Sequence, residues 1–326
     1  MMTTETQPLN ILISGSGIAG PCLAFWLHKL IPTCRITVLE RSPTPRHGGQ
    51  AVDLRSFSVP IVSRMGLLDQ VRSKTTTEVG LQFVYADGIT RATFPASGNI
   101  EAQSATSEFE VLRGDLARIL MNATQSLDGI TYVFDDMVES ISQTGAPDNK
   151  VDVTFAHGLP PATYDLVVGA DGMMSRTRRL VFGREHQHDE SVRRLGQYAA
   201  LFTMPRMDSD TKFAQCPISG VGAGSAIVGA YVLAGEVSRS QDDIPNALEQ
   251  YEKVLRPYVE KAQRLIPGAP QIANPQTEWG VWTFNKLTGI ASSAIMKHLG
   301  GLVGNFLPAF GGTANFPFPD YEVTST

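Results

Sequence analysis

Cysteine is scarce in this chain of 326 residues, which contains only Cys22, Cys34 and Cys216. The three positions show neither the paired spacing of a disulfide framework nor the clustered spacing of a zinc site. The sequence therefore predicts a protein of a reducing compartment, with a cytoplasmic location and no metal site. We expect each thiol to be a small, buried, apolar side chain.

An excess of positive charge is also missing. Lys and Arg number 27 against 32 Asp and Glu, which gives a net charge of −5, and the basic residues form no block. A domain that binds nucleic acid usually has a basic surface, because it must neutralise phosphates. The composition therefore argues against nucleic acid as a partner.

Long apolar segments are few. The first ten residues, MMTTETQPLN, lack the basic and apolar regions of a signal peptide. A long uncharged run, residues 218–235, is rich in Gly and Ala and has no flanking basic residues. We interpret it as two buried strands around a glycine turn rather than as a membrane span. We therefore expect no stable membrane insertion, and the sequence does not specify an oligomeric state.

A glycine motif near the start of the chain is the clearest positive signal. Residues 10–20, NILISGSGIAG, predict a strand, then Gly15, Gly17 and Gly20 in the G-x-G-x-x-G pattern, then a helix. These glycines form a tight turn and let a pyrophosphate approach the backbone at the helix N-terminus. Glu40 ends the next predicted strand, where an acidic side chain can bind the ribose of an adenosine. The combination predicts a dinucleotide-binding domain.

Hydrophobic spacing predicts the remaining elements. Apolar residues at helical spacing predict helices over residues 17–30, 58–71, 110–121 and 244–265. Short apolar segments predict strands over residues 132–134, 151–155 and 164–168, and a hairpin around residues 86–88. Strands of a second, mainly antiparallel sheet are predicted over residues 198–203, 227–233 and 277–283.

A second turn that can meet a ligand follows the strand predicted over residues 164–168. There the chain reads GADG, with Asp171 and Gly172, before a helix for which Ser175 is the expected N-cap. Backbone groups and a carboxylate at the end of a buried strand can contact a bound nucleotide. Standing alone, such a segment is more often a structural turn.

Three segments together resemble the FAD-dependent monooxygenases of the para-hydroxybenzoate hydroxylase type: GSGIAG with LERS, LRGDLARIL, and DLVVGADGMMSRTR. A fourth, GQAVDLRSFSVPIVSRMGLLDQVR, is similar to the subgroup that includes tetracycline-modifying monooxygenases. The resemblance implies an α/β fold in which a Rossmann-like FAD-binding parallel sheet is interleaved with a mainly antiparallel substrate-binding sheet. The FAD-binding domain would comprise residues 1–78, 107–185 and 286–326, and the substrate-binding domain residues 79–106 and 186–285.

The resemblance also implies a cofactor, a reaction and a set of site residues. FAD would be the cofactor, and NAD(P)H and O₂ would be consumed in hydroxylating an aromatic or polyketide-like small molecule in secondary metabolism. Arg55 is the catalytic candidate on the substrate side of the flavin, with a plain ion pair to Asp53 as the alternative. The implied cofactor-binding positions are Gly15, Gly17, Gly20, Glu40, Arg41, Gly49, Arg113, Asp171, Gly172 and Asn305.

The third motif of the family departs from its pattern in this chain. In the family a strand ends in Gly-Asp, and P-x-x-G-x-G-x-N then begins a helix that points at the flavin. The matching stretch is HLGGLVGNFLPAFGGTANFPFPD, in which Asn305 replaces the Asp and two prolines would stop a helix. We therefore expect a C-terminally truncated family member. An impaired, non-enzymatic binding protein and an NAD-dependent dehydrogenase remain as alternatives.

Overall fold

Strands and helices alternate over much of the chain. The computed structural model describes residues 7–46, 48–76, 79–84, 89–95, 108–145, 149–183, 222–263, 275, 277–291 and 319–321. The strands are β1 (Asn10–Ser14), β2 (Arg35–Glu40), β3 (Ala51–Asp53), β4 (Gly80–Val84), β5 (Thr90–Pro95), β6 (Glu110–Leu112), β7 (Ile130–Phe134), β8 (Val138–Gln143), β9 (Val151–Phe155), β10 (Ala162–Tyr164) and β11 (Leu166–Gly169). The helices are α1 (Ala19–Leu30), α2 (Ser58–Arg64), α3 (Leu68–Arg72), α4 (Arg113–Asn122), α5 (Arg176–Phe182), α6 (Gly222–Arg239), α7 (Ile244–Gln263) and α8 (Glu278–Ala291).

A four-stranded parallel sheet in the order β11-β1-β2-β7 lies at the centre of the fold. Ile11 and Ile13 of β1 belong to the same buried cluster as helix α1, whereas Leu12 belongs to a second cluster on the opposite face. Since both faces of the sheet are covered, β1 is an uninterrupted apolar run in the sequence. The predicted Rossmann-like parallel sheet is confirmed.

A three-stranded antiparallel sheet in the order β10-β9-β8 contributes to the second cluster. There Leu12 and Leu39 of the parallel sheet are buried together with Val153 and Phe155 of β9. The strands predicted over residues 132–134 and 151–155 are confirmed as β7 and β9. The strand predicted over residues 164–168 is divided between β10 and β11, and the predicted hairpin is formed by β4 and β5.

The helices predicted over residues 17–30, 110–121 and 244–265 are confirmed as α1, α4 and α7, except that residues 110–112 form strand β6. The single helix predicted over residues 58–71 is instead two helices, α2 and α3. Gly66, which separates them, has φ +72. This left-handed conformation is accessible to glycine and ends a helix.

The interpretation of residues 218–235 as two strands, including the strand predicted over residues 227–233, is wrong, because residues 222–239 form helix α6. Ile227, Val228, Tyr231 and Val232 are all 0% exposed, in one cluster with α1. A helix that is buried around most of its surface has apolar residues on every side, so its sequence loses the helical period. Its small residues allow close packing but also suit a glycine turn.

The strand predicted over residues 277–283 is also wrong, because helix α8 begins at Glu278. Thr277 caps this helix: its Oγ1 accepts a hydrogen bond from the backbone N–H of Gly280 at 3.0 Å. Glu278 places a negative charge in the first turn, where it interacts favourably with the helix dipole. The strand predicted over residues 198–203 lies outside the described residues. The described part of the predicted substrate-binding range 186–285 is therefore helical.

The proposed division into two domains stays a prediction. Helix α6 falls in the range predicted for the substrate-binding domain, yet it packs against helix α1, which lies in the range predicted for the FAD-binding domain.

Among the described helices, none is long and apolar enough to cross a membrane. Cys22 and Cys34 are buried free thiols, as predicted, and burial raises the pKa of Cys34 to about 11. Cys216 lies outside the described residues.

Candidate functional site

A cleft opens at the carboxyl ends of β1, β2 and β11, where open α/β sheets bind ligands. Its walls are formed by the loops that follow these strands and β7, together with helix α4. It contains six of the predicted positions: Gly15, Gly17, Glu40, Arg41, Arg113 and Asp171. The other lining residues are Ser14, Ser16, Leu39, Pro45, Arg46, Gly48, Gly114, Ala117, Arg118, Met121, Asp136, Met137, Val138, Ala170, Met174, Arg176 and Thr177.

The glycine turn after β1 has no room for side chains where it meets the loop after β11. Gly15 has φ +117, and a Cβ atom there would lie 2.6 Å from the carbonyl oxygen of Ala170. A Cβ atom on Gly20 would lie 2.0 Å from the carbonyl oxygen of Gly15. Gly15 therefore lets two loops approach each other, and Gly20 lets helix α1 start directly behind the turn.

Arg113 faces the glycine turn from the start of α4. A Cβ atom on Gly17 would lie 3.7 Å from Nη2 of Arg113, and one on Gly49 would lie 3.2 Å from Cβ of Arg113. The backbone N–H of Arg113 donates to the carbonyl of Gln50 at 3.0 Å. Gly49 and Gln50 therefore fix the base of the Arg113 side chain, whose guanidinium lies beside Gly17.

Glu40, at the end of β2, is a buried acid held by several donors. One carboxylate oxygen accepts from the backbone N–H of Ser16 at 3.1 Å and from its hydroxyl at 3.3 Å. The other accepts from the backbone N–H of Ser42 at 3.0 Å and from Arg46 at 3.3 Å. These bonds fix the carboxylate in the cleft wall. Its remaining lone pairs can accept a hydrogen bond from a hydroxyl group.

Asp171 is oriented by the start of helix α5. Its carboxylate accepts from the backbone N–H groups of Arg176 at 2.8 Å and Thr177 at 3.0 Å, and from the Ser175 hydroxyl. Ser175 is the N-cap, as predicted, because its Oγ accepts from the backbone N–H of Arg178 at 2.9 Å. Gly172 follows with φ +83, a conformation that favours glycine. The carboxylate thus holds the loop, and the loop backbone lies in the cleft wall.

Arginines outnumber acidic residues in the cleft wall. Five arginines line it, and the three acidic residues that line it already accept hydrogen bonds from protein groups. Guanidinium groups bind phosphate oxygens through paired donors, and the glycine turn lets a pyrophosphate approach the backbone. The geometry therefore suits a dinucleotide. The arginines are Arg41, Arg46, Arg113, Arg118 and Arg176.

The family model described as "FAD binding domain" matches residues 8–241, which contain this whole cleft. The chain belongs to the FAD-binding-domain family. Its curated relatives include the flavin-dependent monooxygenase eupH of Phoma sp, which is 29% identical over 429 aligned residues. That alignment covers 96% of this chain and 98% of the relative. The FAD-dependent monooxygenase asL4 of Sarocladium schorii is 40% identical over 199 residues, 60% of this chain and 44% of the relative.

Solved structures of this FAD-binding fold are similar over most of the chain. Tetracycline destructase Tet(51) has a TM-score of 0.62 and 22% identity, and the match covers 97% of this chain and 100% of that one. The p-nitrophenol 4-monooxygenase PnpA of Pseudomonas putida DLL-E4 has a TM-score of 0.59 and 14% identity, with 95% and 100% covered. The eupH alignment is longer than this chain, so it contains positions within it at which the chain has no residue.

FAD fits the cleft on three observations. The glycine turn lines the cleft at a helix start, Glu40 is a buried carboxylate at the end of β2, and Arg113 places a guanidinium beside Gly17. These are the groups that a pyrophosphate and an adenosine ribose require. The cleft therefore accounts for the cofactor of the FAD-binding family. Asn305 lies outside the described residues, so its role stays a prediction.

Arg55 lies away from the glycine turn, just after β3. It forms an ion pair with Asp53, 2.9 Å between Nη2 and Oδ2, and its backbone N–H donates to the Ser58 hydroxyl at 3.0 Å. The ion pair named as the alternative is therefore present. The start of α6 is adjacent, since a Cβ atom on Gly224 would lie 3.5 Å from Ser58 Oγ and 4.0 Å from the Arg55 carbonyl oxygen.

Several site residues were missed by sequence reasoning. Ser16 holds Glu40, and Thr177 and Ser14 lie at the base of the two cleft loops. Hydroxyl groups in loops give no pattern of their own, so only the fold identifies them. One missed signal was readable: Pro217-Ile-Ser-Gly-Val-Gly222 has the P-x-x-G-x-G spacing and runs directly into α6.

Asp136, in the loop after β7, is a further buried acid of the cleft. Its carboxylate accepts hydrogen bonds from the backbone N–H groups of Met137, His157, Gly158 and Leu159 at 2.7 to 3.0 Å. Burial alone would raise the pKa of Asp136, but these four donors outweigh it and lower the pKa to about 2. The charged side chain thus joins the loop after β7 to the turn between β9 and β10.

Asp136→Asn is expected to reduce the free energy of unfolding by about 2 kcal/mol at pH 7. A carboxyl whose pKa is lowered on folding stabilises the protein above its unfolded pKa of about 3.9, and this stabilisation is lost as the pH falls towards 2. The difference between the two proteins should therefore shrink below about pH 4. Urea denaturation at pH 7 and pH 3 measures it. An equal difference at both values would refute the assignment.

Proposed function

We propose that this protein is an FAD-dependent monooxygenase that hydroxylates an aromatic or polyketide-like small molecule with NAD(P)H and O₂. The observation that carries the proposal is the cleft, in which the glycine turn, Glu40 and Arg113 are brought together as a dinucleotide site. The names of eupH and asL4 support the reaction type. A cytoplasmic location is supported by the two buried free thiols.

The residues of this chain bind and orient the cofactor. Glu40 accepts hydrogen bonds from the ribose, Arg113 donates to the pyrophosphate, and the glycine turn presents backbone N–H groups to it. When bound, FAD supplies the transfer of electrons from NAD(P)H and the activation of O₂. The protein positions the cofactor and excludes water from the site.

The start of α6 is our candidate for the third family motif, in place of the stretch around Asn305. Three observations support it: the P-x-x-G-x-G spacing ends at Gly222, a helix begins there, and Gly224 adjoins Ser58 and the backbone of Arg55. A helix N-terminus stabilises negative charge placed before it. Arg55, ion-paired with Asp53, would then lie on the flavin side of the cleft, where the resemblance predicts it as the catalytic candidate.

The reaction is tested with purified protein, FAD, NADPH or NADH, and a panel of simple and polyketide-derived phenols under isotopically labelled O₂. We expect phenol-dependent oxidation of the nicotinamide and a product that gains one labelled oxygen atom. If FAD binds but no phenol in the panel gains oxygen, the monooxygenase proposal is wrong. That result would favour the non-enzymatic binding protein.

Arg113→Ala is expected to weaken FAD binding by about 10- to 100-fold, because a charged hydrogen-bond donor to the pyrophosphate is lost. Arg113→Lys should lie in between, since it keeps the charge but not the planar fork. Arg256→Ala is the matched control: Arg256 is exposed on α7 and pairs with Glu252. Flavin fluorescence quenching measures the three dissociation constants. Equal values for Arg113→Ala and Arg256→Ala would contradict the assignment.

A further inference from the structure

A set of buried hydroxyl groups lies beneath the two loops of the cleft. We call residues 15–17, which follow β1, the first loop and residues 170–172, which follow β11, the second loop. The Thr177 hydroxyl lies 3.1 Å from Oγ of Ser14, the last residue of β1, and 3.1 Å from Oδ2 of Asp171 in the second loop. Thr177 is 4% exposed and Ser14 is 8% exposed. Thr177 therefore joins the end of β1 to the second loop at the base of the cleft.

Packing alone does not explain why the side chain of residue 177 carries a hydroxyl group. A Cβ atom on Gly169 would lie 3.3 Å from Cβ of Thr177, so the side chain is packed between the ends of β1 and β11. Valine has the same shape and would be buried there at lower cost, since it has no polar group to satisfy. The hydroxyl must therefore be judged by what it bonds, namely Ser14 and Asp171.

The last backbone bond between the two segments runs from the N–H of Ala170 to the carbonyl of Ser14 at 2.8 Å. The N–H of Gly15 donates instead to Leu39 of β2 at 2.7 Å. Beyond it, Gly15 meets Ala170 by close packing. The Asp171 carboxylate is turned towards α5, where it accepts from Ser175, Arg176 and Thr177. The Thr177 hydroxyl adds a side-chain link from Ser14 at the end of β1 to Asp171, which lies beyond the last backbone bond between the two segments.

We propose that Thr177 is a positioning residue of the FAD site. Its hydroxyl holds Asp171 of the second loop against the end of β1, from which the first loop begins, and so supports the relative position of the two loops. The inference rests on the proposed function, because it assigns FAD to the surface that the two loops form. A hydrogen bond to a carboxylate contributes more than a neutral one, so its loss should be measurable in cofactor affinity.

The test compares Thr177→Val, Thr177→Ser and a matched control, Thr124→Val. Thr124 is a threonine that is 0% exposed, and its hydroxyl lies 2.7 Å from Tyr132 OH, just after α4 ends. We expect Thr177→Val to raise the FAD dissociation constant about tenfold. Thr177→Ser should restore it to within about twofold. Thr124→Val should lower the melting temperature without changing the FAD affinity.

Two readouts separate positioning from stability. The visible circular dichroism of bound flavin reports its orientation and should change in Thr177→Val alone. Hydrogen–deuterium exchange of protein without added FAD should become faster in both loops in that variant. Unchanged exchange and unchanged FAD affinity in Thr177→Val would overturn the inference. Failure of the unaltered protein to bind FAD would overturn the proposed function, and the exchange comparison would still decide the loop link.

Discussion

Gly15→Ala is expected to lower FAD affinity about 100-fold or more and to destabilise the protein by about 3 kcal/mol. The added Cβ would lie 2.6 Å from the Ala170 carbonyl oxygen and 2.9 Å from Cα of Asp171, so backbone rather than a movable side chain blocks it. The φ of +117 adds strain for any residue with a Cβ. The second loop must move away from the first, which disrupts the surface proposed to bind FAD.

Gly66→Ala is the control that separates strain from the clash. Gly66 also has positive φ, +72, but an added Cβ would meet nothing within 4 Å. It lies between α2 and α3, so we expect a loss of about 1 kcal/mol in stability and an unchanged FAD affinity. Fluorescence titration and thermal denaturation of both variants give the comparison. If the two glycine variants bind FAD equally well, the close approach of the loops is not required.

Gly235→Ala is expected to displace Tyr321 and to destabilise the protein by about 2 to 3 kcal/mol, although alanine is the better helix former. The added Cβ would lie 2.3 Å from two ring atoms of Tyr321. That ring is 4% exposed, and its hydroxyl donates to the buried Glu236 at 2.6 Å. Arg239 stacks over the ring, 4.4 Å from the guanidinium carbon to the ring centroid.

A double-mutant cycle with Tyr321→Ala tests whether the clash is the cause. Tyr321→Ala alone should cost about 3 kcal/mol, because a buried aromatic ring and its bond to Glu236 are lost. In that background Gly235→Ala should become neutral or stabilising by up to about 1 kcal/mol, since only helix propensity remains. Chemical denaturation of the four proteins gives the coupling energy. Additive effects would show that Gly235 does not make room for the ring.

Strands β1 and β2 of the parallel sheet were predictable because they are largely buried and end in recognisable turns. NILIS runs into GSGIAG, and RITVLE ends in Glu40, so apolar content and spacing indicated both strand ends. The antiparallel strand β9 was found for a different reason: its apolar and polar residues alternate, with Val153 and Phe155 buried. The boundary between β10 and β11 was missed because a single residue, Asp165, separates them.

Helix α6 was mispredicted because its environment removes the signal that identifies helices. Tyr231 meets Trp26 of α1 with ring centroids 4.6 Å apart, and Gly229 approaches Tyr251 of α7. A helix packed on several sides needs no polar face, and its glycines were interpreted as a turn. Helix α8 was missed for another reason: Trp, Val and Phe favour strands, and the cap at Thr277 outweighed that preference.

In the site, the predicted residues Gly15, Glu40, Arg113 and Asp171 lie in one cleft, and the supporting groups were not predicted. Gly15 and Glu40 follow a spacing set by the backbone geometry of a dinucleotide site, whereas Arg113 was implied by the family resemblance. Ser16 and Thr177 act through hydroxyl contacts to residues 24 and 6 positions away. Such contacts depend on the folded loops, so no local sequence pattern records them.

The central claim is that the cleft binds FAD, and a titration of the purified protein with FAD tests it most directly. We expect one FAD per chain, with the flavin absorbance at about 450 nm retained after the free cofactor is removed. Gly15→Ala should lose this absorbance, and Gly66→Ala should keep it. A folded, colourless protein that retains no FAD would contradict the account.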